Sequence, residues 1–495
     1  MDPTSPANRI IREVRSRASW LAPLLGAVPI LLVSLWLLGG ADLDLFAETW
    51  RAGAPERFYD DQGQALARGE LAVACEALRF EAIELDGRCH GYFGIFPALL
   101  RAALNAACAD CAGHWNRLAS LAAMLTTYAA CLLLARHALA ARPMSQARRL
   151  CWASGFAGMA CLGSTEVFVA ANPIVYHEAI QWGVAFTLLA FWSALRYRAA
   201  GRPLFLAVTI AALLCALNSR ITIGLGASIG VFVLWAETLL ARRSAAPGVD
   251  APRLRWPVAA AALVAFSVAT PFAVNLAKFG ALSPPLEHHV TYRQTPLRLA
   301  VVRRGLFQLS NLPCTVGSYL SPSAIDTYPA YPWVIPAYGW TPPEPLPAGL
   351  VGDCGDADLE NVEPFFAIYY GAPALVLLAV IGCLGLARAG AASARPILAL
   401  CLGAGLGALP VLLFATLTYR YEHDLFPLLV LAASVGIAAV SRLAGRWRQL
   451  TLAALVVLTL AGLHINMAAV FDHFLIQPEA NEHLRTLQRL LPYRW

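Results

Sequence analysis

Apolar residues run in long blocks separated by short polar segments. The blocks approach the roughly 17–25 residues that a helix needs to cross a hydrocarbon core of about 30 Å. Eleven such runs occur, at 19–40, 118–136, 151–171, 178–195, 203–218, 221–241, 256–277, 364–386, 396–417, 425–441 and 449–470. The fifth and tenth are short, so their boundaries are soft. The pattern predicts an all-α polytopic membrane protein of about 11 transmembrane helices, with long extracytoplasmic loops that carry juxtamembrane helices. It divides the chain into a cytoplasmic N-terminus (1–18), a first transmembrane module (19–277) that includes an acidic outer loop (41–117), an extracytoplasmic loop (278–363), the last spans (364–470) and an extracytoplasmic tail (471–495). The first run is too long for a signal-peptide core and no A-x-A site follows it, which reads as a retained anchor.

Composition and charge sharpen this picture. The chain has 495 residues, of which 58% are apolar and 14% charged. A soluble domain is about a quarter charged. The net charge is +6, from 37 basic residues of which Lys278 is the one lysine. With the N-terminus inside, the inner segments hold 20 positives against three acids (Asp2, Glu13 and Asp250). Every inner loop is then basic, as the positive-inside rule requires. The basic residues form short clusters between apolar runs rather than one face, so no nucleic-acid partner is expected. No G-x-x-x-x-G-K-[ST] loop occurs, which excludes ATP-driven transport by this chain.

Six cysteines fall on the outer side, namely Cys75, Cys89, Cys108, Cys111, Cys314 and Cys354. An even number in an oxidising compartment reads as disulfides, and 15 pairings exist. The within-loop set Cys75–Cys89, Cys108–Cys111 and Cys314–Cys354 is favoured, against the alternative that some stay free buried thiols. The six remaining cysteines read as small apolar fillers.

Candidate chemistry gathers on the same side. In the first loop, Pro55 can start a short helix and Gly69 can end it. Its greasy side (Phe58, Ala65, Leu66) would lie along the membrane surface, leaving Asp60 and Asp61 on solvated first turns. A carboxylate there suits a general base acting on a hydroxyl, or it merely stabilises a helix N-terminus. Asp44, nearer the first span, is a further candidate and could also cap that span. Farther on, Asp86-Gly87 signals a hairpin turn, and Tyr92 to Arg101 begins an amphipathic segment fit to line a lipid-facing groove. Asn172 to Glu178, with His177, joins the third and fourth spans. Asn218-Ser219-Arg220 joins the fifth and sixth, and Tyr419-Arg420-Tyr421 leads into the tenth. An outer-edge arginine needs a partner, and a lipid-linked phosphate matches a guanidinium bidentately. A salt bridge from Arg420 to Glu422 or Asp424, or simple snorkelling, would serve as well. Glu166 and Glu237 fall within runs.

A long acidic first loop, basic inner loops and many spans resemble the GT-C glycosyltransferases. The local strings Phe58-Tyr59-Asp60, Asp86-Gly87-Arg88, Tyr92 to Arg101, Tyr176-His177-Glu178 and Arg420-Tyr421 with Asp424 are similar to a group of bacterial membrane proteins of this architecture. The resemblance spans residues 58–427. The chain departs from the family in lacking a paired Asp-Glu in the first loop, where Asp60-Asp61 takes its place. The resemblance implies an inverting transfer of a sugar from a polyprenyl-phosphate donor to a glycan or lipid acceptor of the cell envelope, on the outer face of the bacterial inner membrane. Asp60 would be the base, with Asp61 and then Asp44 in reserve. Arg220 and Arg420 would hold the leaving phosphate, and His177, Glu178, Tyr419, Tyr92 and Arg101 would help to bind substrate. No cofactor is required by the pattern, and a divalent cation held by Asp60, Asp61 and another acid is the one left open. Membrane lipids are the other partners. The alternative is a transporter or flippase of lipid-linked saccharides, which would need a polar path through the bilayer.

Overall fold

The computed structural model describes residues 6–39, 43–46, 57–243, 256–327, 332–336, 354–355 and 357–476. Most of the expected C-terminal tail and the middle of the second long loop lie outside the described residues.

Helix α1 (Pro6–Gly39) carries the first apolar run. The first loop then builds α2 (Phe58–Ala67), α3 (Cys75–Leu78), the strands β1 (Ile83–Leu85) and β2 (Arg88–His90), and α4 (Phe96–Ala107). β1 and β2 pair antiparallel across Asp86-Gly87. Both turn residues have positive φ, 50° and 73°, the geometry that favours Asp-Gly in a two-residue hairpin.

The bundle continues with α5 (Asn116–Ala138), α6 (Gln146–Leu162), α7 (Glu166–Ala171), α8 (Val175–Ala200), α9 (Pro203–Leu217), α10 (Ile221–Arg243) and α11 (Pro257–Phe279). The second loop supplies α12 (Val290–Arg293), α13 (Pro296–Arg304), α14 (Asn311–Tyr319), and the strands β3 (Ile325–Thr327), β4 (Val334–Pro336) and β5 (Asn361–Val362). Then come α15 (Ile368–Gly371), α16 (Pro373–Arg388), α17 (Ala391–Leu413), β6 (Thr416–Leu417), a 3-10 turn (Tyr419–Leu425), α18 (Phe426–Val440) and α19 (Gly445–Ile476).

Among the described residues, eight helical segments are long and apolar enough to cross a membrane, and the chain is a multi-pass membrane protein. The count of eleven is not established. α9 and α16 have only 15 and 16 residues, about 22–24 Å of helix. The third predicted run breaks into α6 and α7 at Gly163-Ser164-Thr165, where the Ser164 hydroxyl donates to Ala160 O (2.6 Å) and accepts from Glu166 N (3.2 Å).

Two helix pairs approach through glycine. Gly226 and Gly230 of α10 face Gly403 and Gly407 of α17, and Gly382 of α16 faces Gly436 of α18; a Cβ at Gly226, Gly403, Gly382 or Gly436 would strike the opposite backbone. Small residues let helices associate closely where no water drives them together.

The loops meet over one end of the bundle. Val290 N donates to Ala82 O (2.9 Å), Phe96 N to Asn218 O (2.7 Å) and Gln308 N to Leu413 O (2.9 Å). The three favoured disulfides are the three pairs present, Cys75–Cys89, Cys108–Cys111 and Cys314–Cys354.

Candidate functional site at the loop end of the bundle

A cavity of about 960 Å³ opens where both loops meet the helix ends. Its apolar lining includes Leu217, Ile221, Phe272, Leu406, Leu409 and Leu413 from the helix ends. Its polar lining includes Glu81, Tyr92, Arg220, His289, Glu360, Glu363 and Arg420. The site therefore offers a ligand both apolar and charged surface.

Arg220 is fixed by the tight turn between α9 and α10. Its amide donates to Ala216 O (2.8 Å), and Asn218 anchors the turn to Thr270 Oγ1 (2.7 Å). The guanidinium donates to Asp424 Oδ2 through Nη2 (2.9 Å) and Nε (3.3 Å). Arg420, in the 3-10 turn, makes a bidentate pair with Glu363 at 2.6 and 2.9 Å. It also lies over the rings of Tyr176 (4.8 Å) and Tyr421 (5.4 Å). The partner of Arg420 is thus neither Glu422 nor Asp424, and that of Arg220 stands 204 residues away.

Glu81 sits between the loops. A carboxylate only accepts, so His289 Nε2 donates to Glu81 Oε2 at 3.0 Å, and Tyr92 Oη donates at 3.1 Å. Burial alone would raise this carboxyl, but hydrogen bonds from His289, Tyr176 and Tyr92 outweigh it and hold it below the usual range. Glu360 shifts the other way. Burial raises it, and the opposing Thr416 hydroxyl (2.6 Å) and Arg298 do not cancel that. Lys278 threads under the first loop and donates to Gly91 O (3.0 Å) and Phe93 O (3.3 Å), bracketing Tyr92.

Of the residues expected from sequence, Arg220, Arg420, Tyr419 and Tyr92 line the cavity, whereas Asp60, Asp61, Asp44, His177, Glu178 and Arg101 do not. Asp60 departs furthest from expectation. Helix α2 does not lie on a surface, because Phe58, Tyr59, Asp60, Gln62, Gly63 and Ala65 are all buried. Gly63 lets α2 press against Ala98 and Arg101 of α4, where a Cβ has no room. Asp60 then accepts from Gly113 N (3.1 Å) and faces Arg101 Nε at 3.4 Å. Arg101 Nη2 reaches both oxygens of Glu178 (3.0 and 2.7 Å) and Asn116 Oδ1 (3.2 Å). These side chains are sealed from solvent.

Asp61 is half-buried, and its carboxyl is raised mainly by burial, against Arg57 and with Asp60. Asp44 is exposed and folds back on its own chain, accepting from Phe46 N (2.8 Å). His177 is buried against Phe168, with Nδ1 3.0 Å from Asn172 O. The Tyr419 hydroxyl donates to Asn466 Oδ1 (2.9 Å). Glu166 lies inside the bundle, 2.8 Å from His423 Nε2.

Among the described residues no group of three or more His, Cys, Asp or Glu side chains could hold a metal ion. Asp60 shares the single Arg101 guanidinium with Glu178.

Sequence reasoning missed Glu81, His289, Glu360 and Glu363. The usable signal was position, since Glu363 directly precedes the eighth run and Arg420 lies in the short link between the ninth and tenth.

No family model and no curated protein sequence matches the chain. Among solved structures it is similar to ArnT from Cupriavidus metallidurans bound to undecaprenyl phosphate, at 15% identity and a TM-score of 0.44, covering 88% of this chain and 63% of that one. It is similar also to the archaeal oligosaccharyltransferase AglB from Archaeoglobus fulgidus, in complex with an inhibitory peptide and a dolichol-phosphate. There the identity is 11% and the TM-score 0.45, over 95% of this chain and 59% of AglB. The apo state of the same ArnT gives 15% and 0.40, over 89% and 63%. The chain thus spans about three fifths of the length of these solved proteins.

Proposed function

We propose that the chain is a GT-C-type glycosyltransferase that takes a sugar from a polyprenyl-phosphate donor on the extracytoplasmic side of the bacterial inner membrane. The observation that carries this reading is the convergence of Arg220 and Arg420 on one cavity with an apolar lining. The lipid tail would follow that lining, and the phosphate would sit at the two guanidinium groups.

In this reading an acceptor hydroxyl oxygen attacks the anomeric carbon. The bond from that carbon to the phosphate oxygen breaks, and the phosphate leaves with the electron pair. Arg220 and Arg420 stabilise the charge it gains. The hydroxyl proton passes to a carboxylate. Asp60 is sealed behind Arg101, so we assign that role to Glu81, whose carboxylate is held ionised in the cavity wall.

The test is transfer of label from a panel of polyprenyl-phosphate sugars to extracted envelope acceptors by the reconstituted protein. Transfer that depends on Arg220, Arg420 and Glu81 is expected. A folded wild-type protein that neither binds a polyprenyl phosphate nor transfers any sugar of the panel overturns the reading.

A further inference from the structure

All three cavity arginines are already paired with carboxylates, yet the pairs are built differently. The Asp424 side chain is fully buried while Arg220 is 24% exposed. There the acid is fixed and the guanidinium faces the cavity. The second pair is inverted, with Arg420 at 11% and Glu363 at 32%. Arg298 and Glu360 are both largely enclosed, at 17% and 7%. Glu363 is therefore the acid of the three with the most open path away from its partner.

What holds Arg420 does not depend on Glu363. The rings of Tyr176 and Tyr421 flank its guanidinium, and the pairing of β5 with β6 fixes the backbone on both sides. Glu363 N also donates to Leu417 O (2.8 Å), so only the side chain needs to turn. The donors that Glu363 occupies are Nη1 and Nη2 of Arg420 and the Thr418 hydroxyl at 2.6 Å. A fork of two guanidinium N–H groups with an added hydroxyl suits phosphate oxygens as well as a carboxylate.

We infer that Glu363 is a displaceable stand-in for the donor phosphate, masking Arg420 until a lipid-borne phosphate seated at Arg220 takes its place. This rests on the polyprenyl-phosphate reading above. The exchange preserves charge balance at Arg420, because one anion replaces another. It also makes the empty site a weak attractor of small anions, since Arg420 is neutralised. A phosphate that also buries a chain along the apolar lining has the extra free energy to displace the acid.

The experiment uses the full chain in lipid nanodiscs, with undecaprenyl phosphate and inorganic phosphate as probes. Glu363→Gln keeps the shape of the side chain and removes its charge. It should bind undecaprenyl phosphate about tenfold more tightly, the size expected for removing a charged competitor. Arg420→Ala should bind weakly, and the double variant should match Arg420→Ala. In the wild type, carbodiimide labelling of Glu363, read by mass spectrometry, should rise when undecaprenyl phosphate is added and stay flat with inorganic phosphate. This arm does not depend on any variant folding. A wild-type chain that binds undecaprenyl phosphate while Glu363→Gln binds no more tightly overturns the inference and leaves the function standing. A fall in Glu363 labelling on adding the lipid overturns it as well. An equal rise with inorganic phosphate overturns its lipid specificity. A wild-type chain that binds no undecaprenyl phosphate overturns the functional reading and the inference together.

Discussion

Two arginine networks stand at the same end of the bundle and differ in how far each opens to solvent. Arg101 joins Asp60 and Glu178 in a sealed cluster under the first loop. Arg220 and Arg420 pair with Asp424 and Glu363 on the wall of an open cavity. Both networks match guanidinium to carboxylate. The sealed one is closed to solvent, and we assign it to the fold. The open one leaves guanidinium groups facing a cavity, which is why we propose it as the phosphate site. Removing one member of a buried set strands the others in a low dielectric, whereas a cavity-facing partner can rehydrate.

The largest effect should follow from breaking the sealed side. Arg101→Ala leaves two buried carboxylates without a counter-charge and should destabilise the fold by about 3–5 kcal/mol. Asp60→Asn should also lower the unfolding temperature, contrary to a purely catalytic role on a solvated turn. Glu363→Gln, on the open side, should cost less, because its carboxylate is 32% exposed and the cavity can rehydrate the guanidinium. Thermal unfolding of the purified variants measures all three. Equal losses for Arg101→Ala and Glu363→Gln would erase the distinction between the networks.

Next in size is the brace on the loop that carries Glu360 and Glu363. Cys314 and Cys354 close a sequence separation of 40 residues, worth about 3–4 kcal/mol in the chain-entropy model. The Cys314→Ser/Cys354→Ser pair should loosen this loop first, seen as faster amide exchange around 357–367. Unchanged exchange there would show that β5 and β6 alone hold the open network.

Much of this architecture was legible from local chemistry. Long apolar runs gave the helices, Asp86-Gly87 gave the hairpin, and loop membership gave the three cysteine pairs. Arg220 and Arg420 were legible because an arginine at the outer edge of a span conflicts with the charge bias. What the sequence hid is long-range partnership. Asp60 looks solvated when its helix is read alone, and only the packing of α4 against Gly63 reveals its burial. Glu81 and His289 are 208 residues apart, and no periodicity links them. The break at Ser164 was missed because the short polar stretch Ser164-Thr165-Glu166 was read as part of an apolar run.

A smaller effect sharpens the open side. Arg220→Lys keeps the charge but loses the fork that reaches Asp424 through Nε and Nη2. Affinity for undecaprenyl phosphate should fall by about 1.5–3 kcal/mol, the scale of a charge-assisted hydrogen bond. Folding should hold, because the ammonium can still face Asp424. Titration of lipid against the nanodisc-borne variant reads this directly. Unchanged affinity would assign Arg220 to structure, alongside Arg101.

The smallest effect separates two acids on the same cavity wall by the sign of their pH response. Glu81 is held below its ordinary range by His289, Tyr176 and Tyr92. Its folded value lies under the unfolded one of about 4.3. The stability it contributes is therefore complete above that pH and is lost as pH falls through the folded value. Glu360 is raised by burial. Its contribution is complete below about pH 4.3 and is lost as pH rises through its folded value. The difference in unfolding temperature between wild type and Glu81→Gln should thus hold steady near neutrality and shrink in acid. For Glu360→Gln the variant should gain on the wild type as pH rises. Scans of both variants against pH check the pair. If the two responses run the same way, the tyrosine and histidine donors around Glu81 do not keep it ionised, and its assignment as the base falls with them.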